Sequence, residues 1–197
     1  MTNTSTNKYI SIETGVFGRV PVYGSLFGAA INPISLYSTC DIFDLYDGGI
    51  IDVAVSELAE TDKYGNVNVS KINSRSTGPG GFINITQCSK KIIFIGTFTA
   101  KGLKVEIKKF KNQVSQITYA SKYSKKIKQE VLYITERAVF KVNDEGLLTL
   151  TEVAPGIDIE KDIINQMEFR PIISENLKLM NPNLFINDKL NLEEKFK

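Results

Sequence analysis

The chain has 197 residues, 42% of them hydrophobic, and a formal net charge of +2. That is enough apolar material for one large or two small cores, and the near-balance of charge gives no reason to expect nucleic acid or an anionic membrane as partner. Histidine is absent, which excludes Ser-His-Asp, Cys-His and His-ligated metal chemistry within the chain and leaves a carboxylate, already ionised near pH 7, as the most available nucleophile. No apolar run approaches the ~20 residues of a membrane span. The polar leader Met1–Asn7 is too short for a secretory signal. Cys40 and Cys88 lack CxxC spacing, which argues against a disulfide framework or structural zinc and for a reducing, cytoplasmic setting.

In chain order, the β-favouring run Lys8–Ile12 delivers a single carboxylate, Glu13, into a segment broken by Gly15, Gly18, Gly24 and Gly28. A carboxylate at a strand end, beside glycines that let another backbone or a ligand come close, is where open α/β sheets put reacting groups. The bland alternative is an exposed Glu before a turn. Asn32-Pro33 starts a turn, and Ile34–Cys40 reads as a short helix or strand. Asp47-Gly48-Gly49 is a turn ahead of Ile50–Val55, a buried-strand pattern; Lys63–Asn66 separates that strand from the alternating Val67–Ser70. The densest glycine loop, Thr77-Gly78-Pro79-Gly80-Gly81-Phe82, leads into one or two helical turns over Ile83–Ser89. Lys91–Gly96 then reads as a strand inside a parallel sheet.

Leu103–Ile107 and Gln113–Tyr119 alternate as antiparallel strands, with the lysine-rich Lys108–Lys111 and Lys122–Lys128 as solvated edges and loops. Val131–Thr135, Ala138–Val142 and Leu147–Val153 are three more strands, the last two joined by a hairpin turn at Asn143–Gly146. Asp158 caps a helix from Ile159 to Met167, Pro171 stops it, and the Asn- and Lys-rich tail from Asn176 reads as only partly ordered. The pattern predicts one α/β domain without an internal boundary. Its sheet is mixed and partly parallel, flanked by helices and extended by antiparallel strands.

With these pieces in order, the chain resembles a known family: the family I coenzyme A transferases of the acetate, propionate and 3-oxoacid type, and specifically their C-terminal or β half. The resemblance runs over residues 8–180. It is carried by Ile12-Glu13-Thr14-Gly15, Val20-Pro21, Phe27-Gly28-Ala29 with Asn32-Pro33, Phe43–Gly49 and Gly65–Ser70. It continues through Gly78–Ile85, Gly96–Thr99, Thr135–Phe140, Ala154–Gly156 and Phe169–Ser174. Residues 1–7 match nothing in the family, and 181–197 read as a polar tail.

The resemblance implies transfer of CoA between a short-chain acyl-CoA and a carboxylic acid of the acetate, propionate, butyrate or acetoacetate class. Glu13 is implied as the nucleophile that becomes a glutamyl-CoA thioester, and Gly78, Gly80 and Gly81 as the loop against CoA and the developing oxyanion. Gly15, Gly18, Phe27 and Phe82 are implied as pocket candidates, together with Tyr23, with ordinary core as the alternative for the rings. No metal and no permanently bound cofactor are implied; coenzyme A is substrate and covalent intermediate. The family's active site combines two similar α/β halves, and the residues ahead of Glu13 are too few for the elements that precede it there. The expectation is therefore an N-terminally truncated β half whose partners are acyl-CoA, a short-chain carboxylate, and an α half or a second copy. Arg19 and Lys101 stand where the family tends to carry glycine and would reshape the pocket. Two alternatives keep the fold: an inactive remnant or interaction module, and a hydrolase in which water resolves the glutamyl thioester.

Overall fold

The computed structural model describes residues 9–72, 74–101 and 106–186; the leader, residue 73, residues 102–105, which include 103–105 of the expected Leu103–Ile107 strand, and the tail from 187 lie outside the described residues. The described residues form two compact units, one ending at Ile50 and one beginning at Ile51.

In the first unit, residues 16–36 make an arm. Val16–Phe17 pairs antiparallel with Ser35–Leu36, and Val20–Pro21 with Ala30–Ile31. A 3-10 turn, Gly24–Leu26, closes the tip. Tyr9 stacks on Phe17 at 5.7 Å and Tyr37 meets the same ring edge-on at 6.2 Å, so aromatic contacts brace the arm's base. The Ile34–Cys40 stretch is both things the sequence allowed: a strand over Ser35–Leu36, then the start of helix α1 (Thr39–Asp47). Ser38 caps α1, its Oγ accepting from the Asp41 amide at 3.1 Å, and Ile42 and Tyr46 sit one turn apart on the buried side.

The second unit is built on a six-stranded mixed sheet. Its strands are β1 (Val53–Glu57), β2 (Lys91–Ile95), β3 (Glu130–Ile134), β4 (Ala138–Val142), β5 (Leu148–Val153) and β6 (Ile172–Leu179). They lie in chain order across the sheet. β1–β2, β2–β3 and β5–β6 are parallel; β3–β4 and β4–β5 are antiparallel. The parallel pairs need crossovers, and helices α2 (Phe82–Cys88) and α3 (Ser121–Lys126) lie within the first two of them.

The in-register pairing sends Ile92, Phe94 and Tyr133 into the core, where Phe94 stacks on Phe82 and Tyr133 and meets Tyr119 edge-on at 4.9 Å. A second aromatic group, Phe98, Phe110 and Phe140, continues the same core, with centroids 4.6 and 5.0 Å apart along the series. Such pairs add about 0.5–1.5 kcal/mol each beyond the area they bury.

Several expectations are corrected. The strand expected at Ile50–Val55 is displaced to Val53–Glu57 and is an edge strand: Ala54 packs inward while Val55, on the opposite face, is 63% exposed. Gln113–Tyr119 is irregular apart from a bridge between Tyr119 and Val67, and Lys122–Lys128 is largely helix α3. The lysines expected on a solvated edge at 108–111 are engaged: Lys108 Nζ donates to Met167 O at 2.9 Å, Lys111 pairs with Glu168 at 3.0 Å, and Lys109 is buried. Asp158 does cap a helical segment, accepting from the Lys161 amide at 2.8 Å. That segment is a wide π-type turn, Ile159–Ile163, followed by a 3-10 turn that ends at Gln166. Asn176–Leu179, expected as tail, completes β6, where Lys178 and Leu179 pair with Glu152 and Val153. No helix among the described residues is long and apolar enough to cross a membrane.

Candidate active site

Glu13 rides on a β-turn in the first unit. The Gly15 amide donates to Ile12 O at 2.9 Å, which makes Glu13 and Thr14 the two central residues. The base of the turn is closed by Ile12 N–H to Val16 O at 2.9 Å and by Tyr37 N–H to Gly15 O at 2.8 Å. Gly15 has φ +98°, and a Cβ there would lie 2.0 Å from the Tyr37 carbonyl oxygen; a side chain cannot occupy that space. Gly18, with φ +83°, faces a side chain instead, a Cβ falling 2.5 Å from Ile34 Cδ1. These two candidates are therefore packing glycines that hold the carboxylate's turn against the following segment.

Flanking side chains add two further ties. Thr14 Oγ1 donates to Gly28 O at 2.6 Å, and the Tyr46 hydroxyl donates to Ser11 Oγ at 3.0 Å. Burial pushes the Tyr46 phenol above its ordinary pKa; the Ser11 hydrogen bond opposes the rise and the Glu13 charge adds to it. The Glu13 side chain itself is exposed and has no hydrogen-bond or ion-pair partner among the described residues. Phe27 and Tyr23 lie beyond on the arm, 72% and 90% exposed. Arg19 keeps a left-handed backbone, φ 69°, the region a glycine adopts without strain. The Lys101 side chain lies outside what is described.

Gly78, Gly80, Gly81 and Phe82 belong to the second unit. The loop hangs from the strand-like segment before it: the Thr77 and Gly78 amides donate to Ser70 O at 2.9 and 3.2 Å, and Thr77 Oγ1 donates to Val69 O at 3.0 Å. Gly78 and Gly80 have φ +79° and +52°, with nothing within 4 Å of an added Cβ, so here backbone angle alone asks for glycine. Gly81 is the N-cap of α2 and supplies no side-chain cap. The Gly80 and Gly81 amides have no backbone acceptor among the described residues. Phe82 is buried and stacks on Phe94 at 5.9 Å, so its ring serves the core, the alternative that the sequence left open.

Sequence reasoning missed Ser11, Thr14 and Tyr46, whose hydroxyls look ordinary until the turn is folded. It also missed a charged group at the carboxyl ends of β1–β3. Lys109 is 8% exposed, and a Cβ on Gly96 would lie 3.0 Å from its Nζ and 2.9 Å from Leu58 O. Burial lowers the Lys109 pKa against the opposing pull of Glu57 and Glu136. Glu136 is fixed in turn, accepting from Phe98 N–H at 2.8 Å and from Arg137 Nε at 3.1 Å.

No protein-family profile matches the chain. Among curated proteins it is 46% identical over 194 residues to caffeate CoA-transferase of Acetobacterium woodii, covering 89% of this chain and 37% of that protein. It is 44% identical over 191 residues to acetate CoA-transferase YdiF of Escherichia coli K12, covering 90% and 36%. Among solved structures, the apoenzyme of acyl-CoA transferase YdiF from E. coli O157:H7 superposes with a TM-score of 0.82 at 41% identity, over 91% of this chain and 36% of that one. The thioester complex of the same protein with CoA gives the same values. Glutaconate coenzyme A-transferase of Acidaminococcus fermentans, at 16% identity and a TM-score of 0.67, shares the fold over 88% of this chain and 74% of its own. In sequence and in fold the chain is a homologue of the CoA-transferases, and it spans about 36–37% of the length of the curated relatives it matches.

Proposed function

We propose that this chain carries the reacting glutamate of a CoA-transferase that moves CoA between a short-chain acyl-CoA and a carboxylic acid. The carrying observation is Glu13 itself: an exposed carboxylate, without a partner among the described residues, at the apex of a turn that Gly15 closes against Ile12 and Tyr37. The chemistry suits a chain without histidine. A Glu13 oxygen attacks the thioester carbonyl, the C–S bond breaks, and CoA thiolate leaves an acyl-glutamyl anhydride. The thiolate attacks the glutamyl carbonyl and releases the first acid as carboxylate, leaving glutamyl-CoA. A second carboxylate runs the steps in reverse. Carboxylate and thiolate exchange places at every stage, so no net proton is moved and no general base is required. Rate must then come from placement and from stabilising tetrahedral oxyanions. The resemblance gives the second task to the Gly78–Gly81 loop, and there the Gly80 and Gly81 amides have no backbone acceptor among the described residues.

The relatives are more than twice as long as the matched region, which supports a reading in which the rest of the enzyme, on this or another polypeptide, completes the site. Val20, Tyr23, Leu26 and Phe27 on the arm are each more than half exposed, as an arm built to be covered by protein would be. The test is isotope exchange between acetyl-CoA and labelled acetate, with the chain assembled with the remainder of a CoA-transferase. Glu13→Gln is expected to slow exchange on the order of a thousandfold or more; exchange at the wild-type rate in that variant refutes the assignment.

A further inference from the structure

Glu13 is positioned by its backbone, because among the described residues its side chain has no partner to hold it. The three backbone bonds that close the turn, Ile12 to Val16, Gly15 to Ile12 and Tyr37 to Gly15, all act at its base. None restrains the apex, where Glu13 and Thr14 supply the soft torsions. We propose that Thr14 is a positioning residue: its hydroxyl, bonded to the Gly28 carbonyl, locks the apex that carries Glu13 to the returning limb of the arm.

Two features of the contact make it a fitted one. The bond is short, 2.6 Å, and joins residues 14 apart in sequence, so it bridges the arm and is no local turn contact. The Thr14 methyl occupies the space a side chain at Gly28 would need: a Cβ there would lie 2.8 Å from Thr14 Cγ2, and Gly28 has φ +102°. Hydroxyl and methyl thus both meet the same glycine. The bond also sets Gly28, and with it the neighbouring Phe27, at a fixed point relative to the carboxylate's turn. The catalytic consequence rests on Glu13 being the nucleophile; the lock itself does not.

Two measurements test this and separate the two ideas. The first is hydrogen–deuterium exchange by NMR at the Gly15 amide in the wild-type chain, Thr14→Val and Thr14→Ser. Thr14→Val keeps the shape and loses the hydroxyl, and is expected to lower Gly15 protection by about five- to tenfold, the loss of one hydrogen bond; Thr14→Ser is expected to keep it. Equal protection in all three overturns the lock. The second is steady-state kinetics in the assembled enzyme. Thr14→Val is expected to lower kcat by about tenfold or more with KM for acyl-CoA nearly unchanged, and Thr14→Ser to restore kcat. A Thr14→Val enzyme with wild-type kcat overturns the positioning role. If the wild-type enzyme itself shows no turnover dependent on Glu13, the nucleophile assignment fails, and the exchange measurement still decides the lock.

Discussion

At Glu13 the sequence places a charged side chain that finds no partner among the described residues. Gly15 cannot carry a side chain because Tyr37 O fills the space, so Gly15→Ala must shift either the turn or the segment after the arm. A loss of about 2–3 kcal/mol is expected from the strain at positive φ and the backbone clash together. Arg19 presents the opposite case, a bulky residue held at φ 69°. Arg19→Gly is expected to stabilise the first unit by about 0.5–1 kcal/mol through relief of left-handed strain, partly offset by the entropy of a freer chain. Thermal denaturation followed by near-UV circular dichroism, which reports the tyrosines around the arm, measures both. A destabilised Arg19→Gly protein would contradict this view of the arm.

Among elements, those with a strong period were legible in the sequence. Lys91–Ile95 declared itself by a continuous apolar run, and the pair at Ala138–Val142 and Leu148–Val153 by alternation around an Asn-Asp-Glu-Gly turn. Elements governed by longer-range contacts were not. Ser121–Lys126 is lysine-rich, yet it folds as a helix because Ser121 and Ser124 turn inward and Ser124 Oγ bonds back to Ser121 O at 2.7 Å. Asn176–Leu179 looks like polar tail because an edge strand needs only one partner, and β5 supplies it. The division of the site was likewise half legible. Glu13 and the glycine loop stood out by residue type, whereas the hydroxyls of Ser11, Thr14 and Tyr46 gain meaning only through partners 35 and 14 residues away. Lys109 was hidden among other lysines, and its burial follows from Gly96, a residue with no room for a Cβ.

For the molecule as a whole, the second unit carries an alkaline liability. Tyr133 is fully buried, its hydroxyl donating to Gly65 O at 2.5 Å, and burial raises its pKa well above the ordinary phenol value, with Tyr119 and Asp62 adding to the rise. Burial likewise pushes Tyr119 up to about 12. Raised folded-state values mean that the unfolded chain loses these protons first, so the stabilisation is intact below pH ~10 and is lost as pH rises through the folded values. Two phenols give a slope of about 2.7 kcal/mol per pH unit at most. Lys109, whose pKa is lowered by burial, contributes the opposite sign, and only up to its unfolded value near 10.5. Urea midpoints are therefore expected to fall steeply above pH ~10.5, and Tyr119→Phe should about halve the slope; a flat profile to pH 12 would contradict the buried phenols.

The most direct test of the chemistry is the intact mass of the chain after incubation with acetyl-CoA or butyryl-CoA in the presence of the remainder of a CoA-transferase. If Glu13 is the reacting carboxylate, the wild-type chain gains the mass of CoA less water, hydroxylamine removes it, and Glu13→Gln gains nothing. An unmodified wild-type chain in that assembly, or an adduct that survives in Glu13→Gln, would show that the carboxylate on the arm's turn is not the group that carries CoA.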